Sequence, residues 1–373
     1  MPLRVTWPQA LAWRMRRHLL DPVSDRPVAD VVRRLCGVQA QVTSSAELCV
    51  RVRRERSKPG DVARALSQGR LVKTWAMRGT LHLLTPEEGG AFLSLIAAGR
   101  SWDRPSWQKY FGITPKQLEA LRTVVRDALE GEVLTREELV SAVTARRGFA
   151  HVGDALRSGW GSLLKPLAWQ GDLCFGPSQG NRVTFMRPQD ASSRWAGVPE
   201  PDEAAPIAIA AYLRSHGPAT VHGFANWLSR GRTSKQQLRR WFDDVRPQLA
   251  EVEVGGERSF VLAKDLDELV STKPTRAVRL LPGFDQFVMG PGTEDPHVIP
   301  AHRRSAVSTQ SGWIQPVVIA GGVVRGTWAL ADAGLTVAWF KEGGAVPRTA
   351  LRAEAQRLGS IVGRTLALEV RLA

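Results

Sequence analysis

The chain has 373 residues, 43% hydrophobic and 23% charged, enough apolar material for two or three buried cores or for an array of small modules. Lys and Arg number 51 against 36 Asp and Glu, a formal net charge of +15, which fits a protein that meets a polyanion, most commonly nucleic acid; because arginine carries the excess, the drift of a GC-rich genome fits it as well. Cys36, Cys49 and Cys174 stand alone without CxxC spacing, no apolar run approaches a membrane span, and the N-terminus lacks the small-residue cleavage pattern of a signal peptide. A disulfide framework, a cysteine-held structural zinc and a membrane protein are therefore not indicated, and the expectation is a cytoplasmic chain with no metal and no cofactor.

In chain order, PQALAWRMRRHLL (8–20) opens with proline near a helix start and keeps Leu11, Met15 and Leu19 at helical spacing. A Pro/Asp/Ser turn leads into a second helix, 28–38, with Val31, Val32 and Leu35 inward. A helix at 61–68 follows, then LVKTWAMRGTLHLL (71–84), two β-like runs around Arg78-Gly79. Helices followed by a hairpin describe a winged helix-turn-helix. The order recurs. A helix spans 115–129, Thr135-x-x-Glu138 is a capping box, a third helix covers 160–173, and LCFGPSQGNRVTFM (173–186) reads as two strands around a Gly/Asn turn. After a Pro/Ser/acid-rich linker at 188–205, a third copy runs through helices beginning at 206, 220 and 234 to LAEVEVGGERSFVLA, with Gly255-Gly256 at its turn. Beyond Thr275 the pattern changes to short strands separated by glycine turns, VRLLPGFDQFVMG, WIQPVVIAGGVVRGTWAL and LTVAWF, then a helix at 349–358 and a last strand. These suit a small β-barrel or curled sheet. The predicted fold is α+β: winged helices at 1–112, 113–190 and 203–265, and a β-barrel domain with a C-terminal helix at 275–373.

Within Leu35–Val50, LCGVQAQVTSSAELCV, Gln39 and Gln41 interrupt an apolar run. An amide offers a carbonyl oxygen and an NH2 but no titratable charge, so the pair can hold a water or a base edge and cannot do strong acid/base chemistry. On a regular helix an i, i+2 pair diverges by roughly 160°, so convergence needs a distorted helix end or a turn. Two readings stand: surface or capping amides, or an orienting pair.

No HExxH, Gly-rich phosphate loop, nucleophile elbow or cysteine cluster occurs, and the histidines lack ligand spacing, which suits capped or core imidazoles. On the first hairpin, Trp75 and Met77 suit packing within the module and Arg78, at the tip, suits a phosphate contact. The long Gly/Pro loop GPGTEDPHVIPAHRRSAV (290–307) ends in His302, Arg303 and Arg304, placing three basic groups where a binding loop or a solvated loop would carry them. Of thirteen tryptophans, Trp160, Trp169, Trp227 and Trp241 fall at helix positions that look like module cores.

VQAQ (38–41), TWAMRGTLHLL (74–84), LLPGFDQFVMG (280–290) and GVVRGTWAL (322–330), in this order over nearly the full length, resemble the bacterial winged-helix DNA glycosylases of the AlkZ/YcaQ type. The resemblance implies tandem winged helices plus a β-barrel in a C-shaped molecule that excises N7-alkylated purines, bulky adducts and interstrand crosslinks included. That family divides into a Gln-x-Asp branch and a Gln-x-Gln branch associated with resistance to self-made DNA-alkylating antibiotics; Gln39-Ala40-Gln41 is similar to the latter. The resemblance therefore implies a DNA glycosylase catalytic through Gln39 and Gln41, with double-stranded DNA carrying alkylated purines as its partner. With no lysine or N-terminal amine placed as nucleophile, the expectation is a monofunctional reaction; the hairpin tip and the long loop offer Arg78, His302, Arg303 and Arg304 as DNA contacts, and a monomer is expected. The other reading is a non-catalytic winged-helix protein, a transcriptional regulator or damage-binding factor. Tandem modules in one chain argue against the usual dimeric regulator.

Overall fold

The computed structural model describes residues 3–309, 312–331 and 334–373. Two compact units divide the chain: Met1–Val62 with Ala210–Trp227 and Phe242–Ala373, and Ala63–Ile209 with Leu228–Trp241. Secondary structure is mixed α+β, as the sequence predicts, and helices and hairpins recur in the predicted order.

The second unit shows why a hairpin follows each helical set. Strands Val72–Trp75 and Leu81–Leu84 pair antiparallel from Val72↔Leu84 to Trp75↔Leu81. Strands Cys174–Phe175 and Thr184–Met186 form the next hairpin, and the short strand Leu134–Thr135 adds to its far edge. The two hairpins join through Lys73↔Phe175, so each covers the other's exposed edge. Helices Pro115–Ala128 and Arg136–Thr144 start at capping boxes built on Thr114/Gln117 and Thr135/Glu138, reciprocal bonds that satisfy orphan amides at the first turn. Their inner faces, Leu118, Leu121, Val125, Leu139 and Val143, pack with Trp75 and Phe185 in one core.

In the first unit, Leu3–Val5 runs parallel to Leu249–Val254, which pairs in turn with Glu257–Leu262 across Gly255-Gly256. Strand Val38–Gln39 and helix Thr43–Arg51 belong here, as does the C-terminal region. There the barrel expectation is corrected: strands Val278–Leu281, Val317–Ala320, Val323–Ala331, Gly334–Trp339 and Leu368–Leu372 form an open five-stranded sheet in that order. Helix Arg348–Val362 supplies the reason. Leu351, Ala355 and Leu358 pack on Val278, Leu280, Val318, Trp328 and Val337, so the apolar face of the sheet is buried under a helix and needs no closure.

Three further expectations shift. Helix 28–38 ends at Arg34. FDQFVMG, read as strand, is a short helix, Gln286–Met289, because the Asp285 side chain accepts from the Phe287 amide at 2.9 Å and caps it. The helix expected from Trp160 begins only at Lys165 and leaves Trp160 79% exposed, so it is no module-core residue. Flanking Gly161, at φ +61, lies so close to Trp75 that a Cβ would stand 2.3 Å from its ring, which holds this stretch as a turn. Trp227 and Trp241 are buried as expected.

Candidate functional site

The glutamine stretch is shaped by a reversal just before it. Cys36 takes φ 57 and Gly37 φ 92, the left-handed region that ends a helix at little cost for glycine and at some cost for cysteine. The chain then leaves extended through Val38–Gln39, bends at Gln41 and enters helix Thr43–Arg51. The pair thus sits at the end of an extended segment and not on a helix: Gln39 closes the strand and Gln41 lies two residues on, at the bend.

Their environments differ. Gln39 is 5% exposed, and its Oε1 is buried without a hydrogen-bond partner among the described residues. Leaving a buried carbonyl oxygen unsatisfied costs about 1–3 kcal/mol, a penalty expected where an atom awaits a ligand or water. Gln41 is exposed, on the solvent side of the bend. Glu47, the next carboxylate along the chain, sets Oε2 on the Val62 amide at 3.1 Å and keeps its Oε1 buried without a partner among the described residues.

Helix Thr43–Arg51 is pinned at its far end. Arg53, fully buried, donates to both carboxylate oxygens of Asp285 at 2.7 Å, to the Cys49 carbonyl at 2.7 Å and to the His18 carbonyl at 3.0 Å. Burial alone would depress the guanidinium; attraction to Asp285 overrides it and holds the pKa above its ordinary value. Asp285 is the acid of FDQFVMG, so that segment ties the C-terminal sheet to the helix that comes after the glutamines. Close approach makes the turn possible: Gly283 carries no Cβ where one would lie 2.6 Å from the Ile314 carbonyl, and Phe284 adopts φ 61. Gln286, inside the segment LLPGFDQFVMG but not singled out there as a site residue, is fully buried with no partner for either amide atom among the described residues. Its only signal in the sequence is another glutamine inside an apolar run.

Two buried imidazoles, one in each unit, are neutral. Burial, then the neighbouring His216, Arg53 and Arg14, pushes His18 well below 6.5. In the other unit burial and Arg78 lower His82 to about 3, and its Nδ1 lies 3.0 Å from the Thr80 carbonyl. Neither ring is charged at neutral pH.

The proposed DNA contacts sit in different settings. Arg78 occupies the tip of the first hairpin at φ 59, beside buried Met77 and inward-facing His82. His302 and Arg303 both meet Glu342, at 2.6 and 2.7 Å, and Arg303 also covers the Phe340 ring at 4.7 Å. Arg304 pairs with Glu294 at 2.7 Å. The loop 290–307 is partly built into the core through Val298, Ile299 and Val307.

Residues 32–361 match the model of a family described as DNA glycosylase AlkZ-like. An interstrand DNA cross-link repair glycosylase of Streptomyces sahachiroi is 48% identical over 362 residues, 97% of this chain and 98% of the relative. The solved structure of the Streptomyces sahachiroi DNA glycosylase AlkZ superposes with a TM-score of 0.96 at 47% identity, over 100% of both chains. No helix among the described residues is long and apolar enough to cross a membrane.

Proposed function

Because the chain belongs to the AlkZ-like family of DNA glycosylases, we propose that it hydrolyses the N-glycosidic bond of N7-alkylated purines, including bulky adducts and interstrand crosslinks, and that it does so through Gln39 and Gln41. The observation that carries this reading is the buried Oε1 of Gln39, partnerless among the described residues, beside an exposed Gln41. Alkylation at N7 makes the purine cationic. As the bond from C1′ to N9 breaks, its electron pair neutralises the ring, and positive charge develops on the deoxyribose. Water adds to C1′ and releases a proton to solvent, leaving an abasic site. An amide oxygen at that position accepts a hydrogen bond from the water and faces the developing charge with its negative dipole, which orients without deprotonating. The relative named for cross-link repair supports the crosslink substrate, and the Gln-x-Gln form supports a role in self-resistance to a DNA-alkylating antibiotic. Phosphate contacts fall to Arg78, His302, Arg303 and Arg304, the last three by exchanging carboxylate partners for phosphate. The protein works as a monomer in the cytoplasm, within winged-helix modules bounded as the sequence suggests.

The test is base release. Duplex carrying 7-methylguanine, or a crosslink, should yield alkali-cleavable abasic sites, with no strand nicking and no borohydride-trapped covalent complex. Salt-dependent duplex binding without base release would replace this reading with the non-catalytic one.

A further inference from the structure

The second unit contains a cavity of about 60 Å³ unrelated to the glutamine stretch, lined by Arg78, Ser101, Arg104, Trp169, Arg232 and Thr233 among others. A single water needs some 10–15 Å³ of such space, so it holds roughly four waters, or one tetrahedral anion. Its polar lining is three guanidiniums and the hydroxyls of Ser101, Ser229 and Thr233, with the Trp169 indole beside them and no carboxylate. Trp169 Nε1 is buried and has no acceptor among the described residues. Arg104 and Arg232 are exposed at the rim, and neither guanidinium meets a carboxylate among the described residues, whereas the arginines at 100, 122 and 187 in the same unit all do. The backbone is arranged around this opening too. Arg230 and Gly231, at φ 57 and 71, turn the chain after helix Val221–Ser229 and bring Arg232 round, while Arg78 reaches in from its own left-handed position at the hairpin tip. Lys165 adds charge behind Gly79, its Nζ 3.9 Å from where a Cβ there would lie, and burial and Arg230 lower its pKa.

We propose that this cavity is a phosphate clamp that takes one phosphodiester of the DNA backbone. The proposal rests on the reading that the protein acts on DNA. The donors suit a phosphodiester because it accepts on two oxygens, can take a guanidinium side-on, and offers no proton to compete with the indole N–H. It adds Arg104, Arg232 and Trp169 to the single hairpin-tip arginine that the sequence suggests, and it assigns them to positioning the duplex and not to reading bases. The rival account is that Arg104 and Arg232 merely neutralise nearby helix C-termini.

Binding of an undamaged duplex, measured across a salt series, separates them. Arg104→Ala and Arg232→Gln should each weaken binding by about tenfold regardless of sequence, and flatten the log–log salt dependence by about 1. Trp169→Phe should weaken binding about threefold and leave the salt slope unchanged, since it removes a neutral donor. Melting temperatures verify folding, and both arginines are exposed, so truncation opens no core. Folded arginine variants with wild-type affinity and slope overturn the clamp, as does a lowered melting temperature with unchanged salt slope. Inorganic phosphate raising the wild-type melting temperature, with DNA binding unaffected by the variants, would assign the cavity to free anion and equally overturn it. Wild-type base release in the same preparation keeps failure of the clamp distinct from failure of the glycosylase reading.

Discussion

Gln39→Ala and Gln41→Ala are expected to bind duplex as tightly as the unsubstituted protein and to release alkylated base about 10²–10³ times more slowly in single-turnover reactions. The magnitude is that of deleting one preorganised dipole from a site where charge develops. Gln39 should show the larger loss. Its oxygen belongs to a side chain only 5% exposed and has no partner among the described residues, so its position is fixed by packing, and no water from bulk reproduces it. Gln41 stands exposed at the bend, where solvent partly replaces its amide. Gln39→Ala also removes a buried unsatisfied oxygen, so this variant should be no less stable for that group; a simultaneous loss of rate and gain in thermal stability would mark a residue kept for chemistry. Full excision activity in either variant removes that glutamine from the mechanism.

Asp285→Ala is expected to destabilise the protein by about 3–5 kcal/mol, because it strands a fully buried guanidinium whose carboxylate partner is gone. Arg53 would retain the carbonyls of Cys49 and His18 and the Cys49 sulfur, none of them charged, and helix Gln286–Met289 would lose its cap as well. For a unit of this size such a loss corresponds to a fall of roughly 10 °C in melting temperature. Urea unfolding monitored in parallel should show a lower midpoint at unchanged slope. Activity should fall at temperatures where the variant is still folded, since Arg53 lies just beyond the helix that begins at the glutamine bend. A midpoint within about 0.5 kcal/mol of the original would mean that the buried pair is replaceable and that FDQFVMG has another purpose.

Much of the fold was legible because it is written in local signals. Thr135/Glu138 announces a helix start, Gly255-Gly256 announces a hairpin, and in both cases the partner atoms lie within three or four residues. The illegible parts depend on distant contacts. A run of short strands cannot tell an open sheet from a barrel; the packing of helix Arg348–Val362, which lies between the last two strands in the chain, onto the sheet decides it. Trp160 fits a helical pattern, yet Gly161 pressed against Trp75, a residue distant in the chain, breaks that pattern. The glutamine stretch was half legible. Amides in an apolar run drew attention, while the two left-handed residues that turn the chain into an extended segment leave no mark that separates it from a helix end. Arg104 and Arg232 carry no signal at all, since they are far apart in the chain and ordinary in their own neighbourhoods, and Trp169 reads from the sequence only as a module-core residue. His302, Arg303 and Arg304 drew attention as a basic cluster, and their carboxylate partners, Glu342 and Glu294, could not be assigned from sequence.

The central claim is that hydrolysis proceeds by orientation through uncharged amides, without a general base in the Gln-x-Gln motif. Its most direct test is the pH dependence of single-turnover 7-methylguanine release at saturating enzyme, between about pH 5.5 and 8.5. Amides do not titrate there and the substrate already carries its charge; burial and Arg78 lower His82 to about 3, so it stays neutral throughout, and burial pushes His18 well below its ordinary value. The rate should therefore be flat across the range. A rate that climbs tenfold per pH unit to a plateau would reveal a titrating base and contradict the account.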